Sequence, residues 1–158
     1  MNGMVDTAKK MMAPGTSDPN QQASPQEQDL FNRFEINTLN MLYYDGKNAD
    51  KIYQSLDPKQ TIATTALSAV SIVESSREET VKKHKTPVTP EMTSKVLNLA
   101  VGEIENIAKV SGKFTLTPEQ KAESLKLAYQ QILSNDRKRG LIDDNKFKQF
   151  LKESGGIQ

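Results

Sequence analysis

The chain has 158 residues, with 21 Lys and Arg against 20 Asp and Glu, one His and no Cys. So balanced a charge supplies no large net field to hold nucleic acid or an anionic membrane, and any such contact has to come from a local patch. The lack of cysteine excludes disulfide scaffolds, thiolate metal sites and cysteine nucleophiles, and it suits a reducing compartment.

This length suits one domain plus a tail, a size at which about 70% of the unfolded surface is buried. Residues 1–23 are rich in Gly, Pro, Ser, Thr, Asn and Gln, and their few apolar residues (Met4, Val5, Met11, Met12) have little to pack against. They are expected to form a flexible arm, either without a role or ordering along a neighbouring subunit, a contact that methionines suit. The N-terminus has no apolar run long enough for a signal peptide, so neither export by that route nor membrane anchoring is expected.

The helical domain is expected over 24–154. Ser24-Pro25-Gln26-Glu27 combines a capping side chain, a proline at the first helical position and a glutamate able to close a capping box. The helix it opens runs to about Tyr43, with Leu30, Phe31, Phe34, Thr38, Met41 and Leu42 on one face and Ile36, Leu39 and Tyr43 on the flank. Asp45-Gly46 turns the chain, and Asn48 to Leu56 reads as a short helix carrying Ile52, Tyr53 and Leu56.

Asp57-Pro58-Lys59-Gln60 repeats the start pattern and predicts the central helix. Its first part, Thr61 to Val73, carries no charge. Wound at about 100° per residue, it lines up Ile62, Ala66, Ala69 and Val73 as a core stripe, with Ala63, Leu67 and Val70 beside it. The opposite side holds Thr64, Ser68 and Ser71, with Thr65 at the margin, where a surface helix would carry Lys or Glu. Small hydroxyls bond back to their own helix, so another helix can cover this face without burying a charge. Either the chain's own bundle or another subunit supplies that cover. Substituting Ser68 with Arg is accordingly expected to spare the monomer fold and block assembly. A membrane span is not expected, because crossing takes roughly 20 apolar residues.

Glu78 and Glu79 stand four residues before Lys82 and Lys83 and support a projecting helix end. Lys82, Lys83, His84 and Lys85 then either complement the helix macrodipole or form a phosphate-binding patch. After the break at Thr86-Pro87-Val88, Thr89-Pro90 starts a helix with a wide apolar face, including Met92, Val96, Leu97, Val101, Ile104 and Ala108, which Ser111-Gly112 closes. Thr117-Pro118-Glu119-Gln120 is a further capping box, ahead of a stripe of Leu125, Ala128, Tyr129, Ile132 and Leu133. Arg137, Lys138, Arg139 and Gly140 end that helix, with the same two readings for the basic triplet. Ile142 and Phe147 flank a capped start at Asp143, opening a last short helix that presents Phe147, Phe150 and Leu151 before a loose tail at 155–158. No stretch alternates as a strand does, which predicts an all-α, irregular bundle of about five to six helices.

Reactive constellations are not expected. His84 stands in a Lys-rich segment without the partners of a triad or a histidine metal site. Asp143, Asp144 and Asn145 lack the later acidic ligand and the mid-loop glycine of a calcium loop. Glu103 and Glu105 read as solvated surface. No catalytic residue, metal site, cofactor or small-molecule substrate is therefore assigned.

The segment from Tyr44 to Asp144, with its DPKQTIATTALSAV helix, the Thr-Pro-Glu start ahead of MTSKVLNLAVGEIENIAKVSG and the closing KLAYQQILSNDRKRGLID, resembles small helical virion proteins of tailed bacteriophages. That resemblance implies a non-enzymatic structural protein, made in the host cytoplasm and carried in the virion. Its place would be the head interior, the portal and tail junction, or the proteins ejected with the genome. The implied partners are other virion proteins and copies of itself. Contact would run through the Thr64, Ser68 and Ser71 face, or through the corner formed by Phe147, Phe150 and Leu151. The alternative is a small regulator or adaptor that binds DNA or protein through Lys82, Lys83, Lys85, Arg137, Lys138 and Arg139.

Overall fold

The computed structural model describes residues 24–44 and 46–153. The expected N-terminal arm and C-terminal tail lie outside them. The described residues are all-α, with six helices and no strand: α1 (Pro25–Tyr43), α2 (Gly46–Ser55), α3 (Thr61–His84), α4 (Pro90–Val110), α5 (Pro118–Lys138) and α6 (Asp144–Glu153).

Three of the proline-bearing starts form as local chemistry dictates. Ser24 accepts the Glu27 N–H, Thr89 accepts the Met92 N–H, and Thr117 exchanges bonds with Gln120 in a complete capping box. Proline follows each cap, where its missing N–H is not needed. Asp57-Pro58 behaves otherwise. Asp57 Oδ1 accepts the Lys59 N–H at 2.9 Å and its carbonyl accepts the Gln60 N–H at 3.0 Å, so the four residues close a turn and α3 begins only at Thr61. An aspartate side chain can satisfy a turn two residues on as readily as a helix end. The short helix ends at Ser55, one residue earlier than expected, because Pro58 has no N–H to continue the ladder and pushes Asp57 out of the α region.

Both glycine stops are Schellman motifs. Gly112 and Gly140 take φ of 75° and 74°. The Lys113 N–H reaches back to the Ala108 carbonyl, and the Leu141 N–H to that of Asp136, each at 2.9 Å. The sharp reversal at Gly140 lays α6 back against α5.

At the centre is α3, in contact with α1, α2, α4 and α5, while α1 and α5 flank it without touching each other. The core gathers Phe34 and Leu42 from α1, Ala69 and Val73 from α3, Val96, Leu97, Val101 and Ile104 from α4, and Ile132 from α5. Most of the circumference of α3 is enclosed: Thr65, Ala66, Ser68, Ala69, Val70, Ile72, Val73, Ser76 and Thr80 are all buried. Small side chains let that many neighbours approach one helix. Leu67 is the exception to the expected stripe and stands 59% exposed. The buried arc is centred near Ala69, and two steps of about 100° turn Leu67 to its far side.

Polar contacts hold the bundle at two levels. Between α1 and α3, Thr38 Oγ1 meets Ser76 Oγ at 2.7 Å and Asn37 Nδ2 donates to Thr80 Oγ1 at 2.9 Å. Between α3 and α5, the Arg77 guanidinium makes two parallel bonds to the Asp136 carboxylate, at 2.9 and 2.7 Å, with both side chains nearly buried. Beside that pair, Glu74 accepts from Asn135 at 2.6 Å and from Arg139 at 3.0 Å.

Candidate interaction face

The uncharged stretch of α3 meets α2 along a shallow depression of about 230 Å³, lined by Lys51, Ile52, Ser55, Thr64, Leu67, Ser68 and Ser71. The expected hydroxyl face is thus divided among three environments. Thr64 Oγ1 donates to the Gln60 carbonyl at 2.7 Å and accepts the Asp57 N–H at 3.1 Å, which ties the turn to the first coil of α3. Ser68 is only 6% exposed and shares a 2.9 Å bond with Ser55, whose own hydroxyl donates to the Ile52 carbonyl. With the Ser55 proton taken, the Ser68 hydroxyl is the donor between them. Ser71 alone of the three is exposed.

The cover for Ser68 therefore comes from α2 of the same chain. This corrects the expected outcome for Ser68→Arg, since a guanidinium at this position would displace α2 and leave a charge beside Ile52 and Ser55. Ser71 and Leu67 are the positions where this face meets solvent.

A lysine unremarked in the sequence holds α2 in place. Lys113, just after the α4 stop, donates to the Tyr53 carbonyl and, at 3.2 Å, to that of Leu56, and its Nζ lies 3.9 Å from the centre of the Tyr53 ring. A carbonyl of the last turn of α2, which lacks an intrahelical donor, and that of Leu56 just beyond the helix are satisfied in this way. Because Tyr53 and Lys113 are 60 positions apart, no local pattern could have signalled the pairing.

The expected corner of Phe147, Phe150 and Leu151 is half-buried, on a helix whose only helix contact among the described residues is α5. Phe147 lies under the Arg137 guanidinium at 4.9 Å, and Arg137 is paired with Asp144 at 2.8 Å. Arg139 is paired with Glu74 and Lys83 with Glu79. Three of the six cations named as possible phosphate contacts thus already have carboxylate partners, while Lys82, Lys85 and Lys138 are exposed.

Glu103 and Glu105 are engaged rather than simply solvated. Glu103 accepts the Tyr43 hydroxyl, and Glu105 lies 3.5 Å from Lys121. Burial, followed by the hydrogen bond and charge of Glu103, pushes the Tyr43 phenol up to about 12. Burial raises Glu35 as well, against the pull of Lys95. Among the described residues no cluster of three or more His, Asp or Glu side chains is placed to hold a metal ion, and no helix is long and apolar enough to cross a membrane.

Compared with known proteins, the chain matches no family, no curated protein and no solved structure.

Proposed function

We propose that this protein is a non-enzymatic structural component of a tailed-bacteriophage particle, joining its neighbours through the α2–α3 face around Leu67 and Ser71. The observation that carries this reading is a leucine 59% exposed in the second turn of the helix on which the bundle is built, where it lines a depression shared with Ser55 and Ser71. Covering a leucine side chain stabilises a contact by about 1.5 to 3 kcal/mol when burial is complete. Ser71 and Ser55 add no charge to that cover, and Lys51, the one charged residue of the lining, is exposed and can keep its ammonium in solvent. The particle itself is inferred from the likeness of residues 44–144 to small virion proteins.

The test uses Leu67→Glu and Ser71→Arg, two exposed positions at which the fold should persist. Both variants are expected to keep the wild-type circular dichroism spectrum and melting temperature, and to be lost from purified particles. Particles that accept both variants at wild-type levels would overturn the reading. So would tight DNA binding that weakens steeply with salt, the behaviour expected of a regulator.

A further inference from the structure

The contact between α5 and α6 stands apart from the rest of the bundle. Leu133 is buried to the same degree as the core residues yet lies outside the cluster that the other helices share. One turn further along the same face of α5 is Arg137, which holds Asp144 and lies over Phe147. Glu153, at the far end of α6, is close enough to Tyr129 to oppose ionisation of its phenol. The helix therefore runs back along α5 from Arg137 toward Tyr129, over the face that carries Leu133 one turn from each.

Little holds it there. α6 has ten residues, none of them fully buried, and among the described residues it contacts one helix only. Isolated helices shorter than about 12 to 15 residues are marginal in water, so undocking and fraying belong to the low-energy end of local opening. The α1–α5 core does not depend on it. Undocking bares a strip with an apolar centre at Leu133 and a cation at Arg137, to which the Phe147, Phe150 and Leu151 stripe and Asp144 are complementary.

We propose that α6 exchanges between two copies of this chain, swinging out on the Arg139–Asp143 connection and seating on α5 of the second copy. The exchanged helix makes every contact it makes at home, so the exchange is opposed only by the entropy of association and by reopening the turn. Gly140 is where that turn is set, at a φ of 74° that a side chain disfavours.

The experiment uses the full chain with two single variants, Arg137→Asp and Asp144→Arg. Each places like charges across its own α5–α6 contact, whereas exchange between the two variants restores an opposite pair at both seats. After unfolding and refolding at high concentration, native mass spectrometry of the mixture should show mixed dimers exceeding either variant's own dimers by about fivefold or more. In the otherwise native chain, Gly140→Ala should raise the dimer fraction about fivefold by disfavouring the closed turn. A mixture that remains monomeric at every concentration overturns the proposal. Dimers that form without regard to the charge pairing, or that are unaffected by Gly140→Ala, overturn it equally.

Discussion

Thr38 Oγ1 and Ser76 Oγ meet at 2.7 Å inside the core, and each also lies within bonding distance of a carbonyl of its own helix, Phe34 O at 2.9 Å and Val73 O at 3.2 Å. Two hydroxyl protons cannot serve three contacts. The shortest consistent arrangement has Thr38 donating to Phe34 O and accepting from Ser76, which leaves the 3.2 Å contact unserved. Either residue thus has a local carbonyl to fall back on when the other is removed. In a double-mutant cycle of Thr38→Val and Ser76→Ala, denaturant unfolding should give a coupling of about 0.5 to 1.5 kcal/mol. Additive single effects would show that the two hydroxyls do not share a proton.

Thr65 presents the opposite situation. It is fully buried, and its Oγ1 has no hydrogen-bond partner. Valine keeps the branched shape and removes a hydroxyl that loses its water on folding without replacement. Thr65→Val is expected to stabilise the protein by about 1 kcal/mol, read as a higher urea midpoint at unchanged slope.

Arg77 and Asp136 form a bidentate pair with side-chain exposures of 12% and 11%. Removing one partner strands the other charge, so Asp136→Ala should cost about 3 kcal/mol or more in denaturant unfolding. Joint replacement by Arg77→Met and Asp136→Leu should recover most of that loss, because a buried ion pair gains little over well-packed apolar side chains. A double variant as unstable as the single one would mean that the pair contributes more than it cost to desolvate.

Alkaline pH provides a further test. The phenols of Tyr43 and Tyr129 are each raised from 10.0 to about 12, in both cases chiefly by burial. Above pH 10 the unfolded chain therefore sheds protons that the folded chain keeps, so the stabilisation is complete below pH 10 and is lost as pH rises toward 12. The urea midpoint should fall across this window, with the phenolate ultraviolet band of the folded protein appearing late. Tyr43→Phe and Tyr129→Phe together should flatten that decline.

The residues that announced themselves in the sequence act on their nearest neighbours. Ser24, Thr89 and Thr117 cap helices with bonds three residues long, and Gly112 and Gly140 stop them by their own backbone angle, so no distant contact has to be known. Asp57 misled because the same side chain suits a turn. Leu67 and Ser68 misled for a different reason: α3 is enclosed almost all round, so apolarity along it does not mark which side faces inward. The location of Ser55 decides that Ser68 is buried, and a partner 13 positions away on another helix is set by tertiary packing. Arg77 with Asp136 and Lys113 with Tyr53, 59 and 60 positions apart, were beyond any local pattern for the same reason.

The central position of α3 governs how the protein comes apart. Each of α1, α4 and α5 has its largest helix contact with that one rod, and the seams that α4 makes with α1 and with α5 are smaller. Once the rod frays, those smaller seams lose the larger share of the apolar cover around them, so the four helices are expected to melt in a single calorimetric event. Probes as distant as Phe34 and Ile132 should therefore report one shared midpoint.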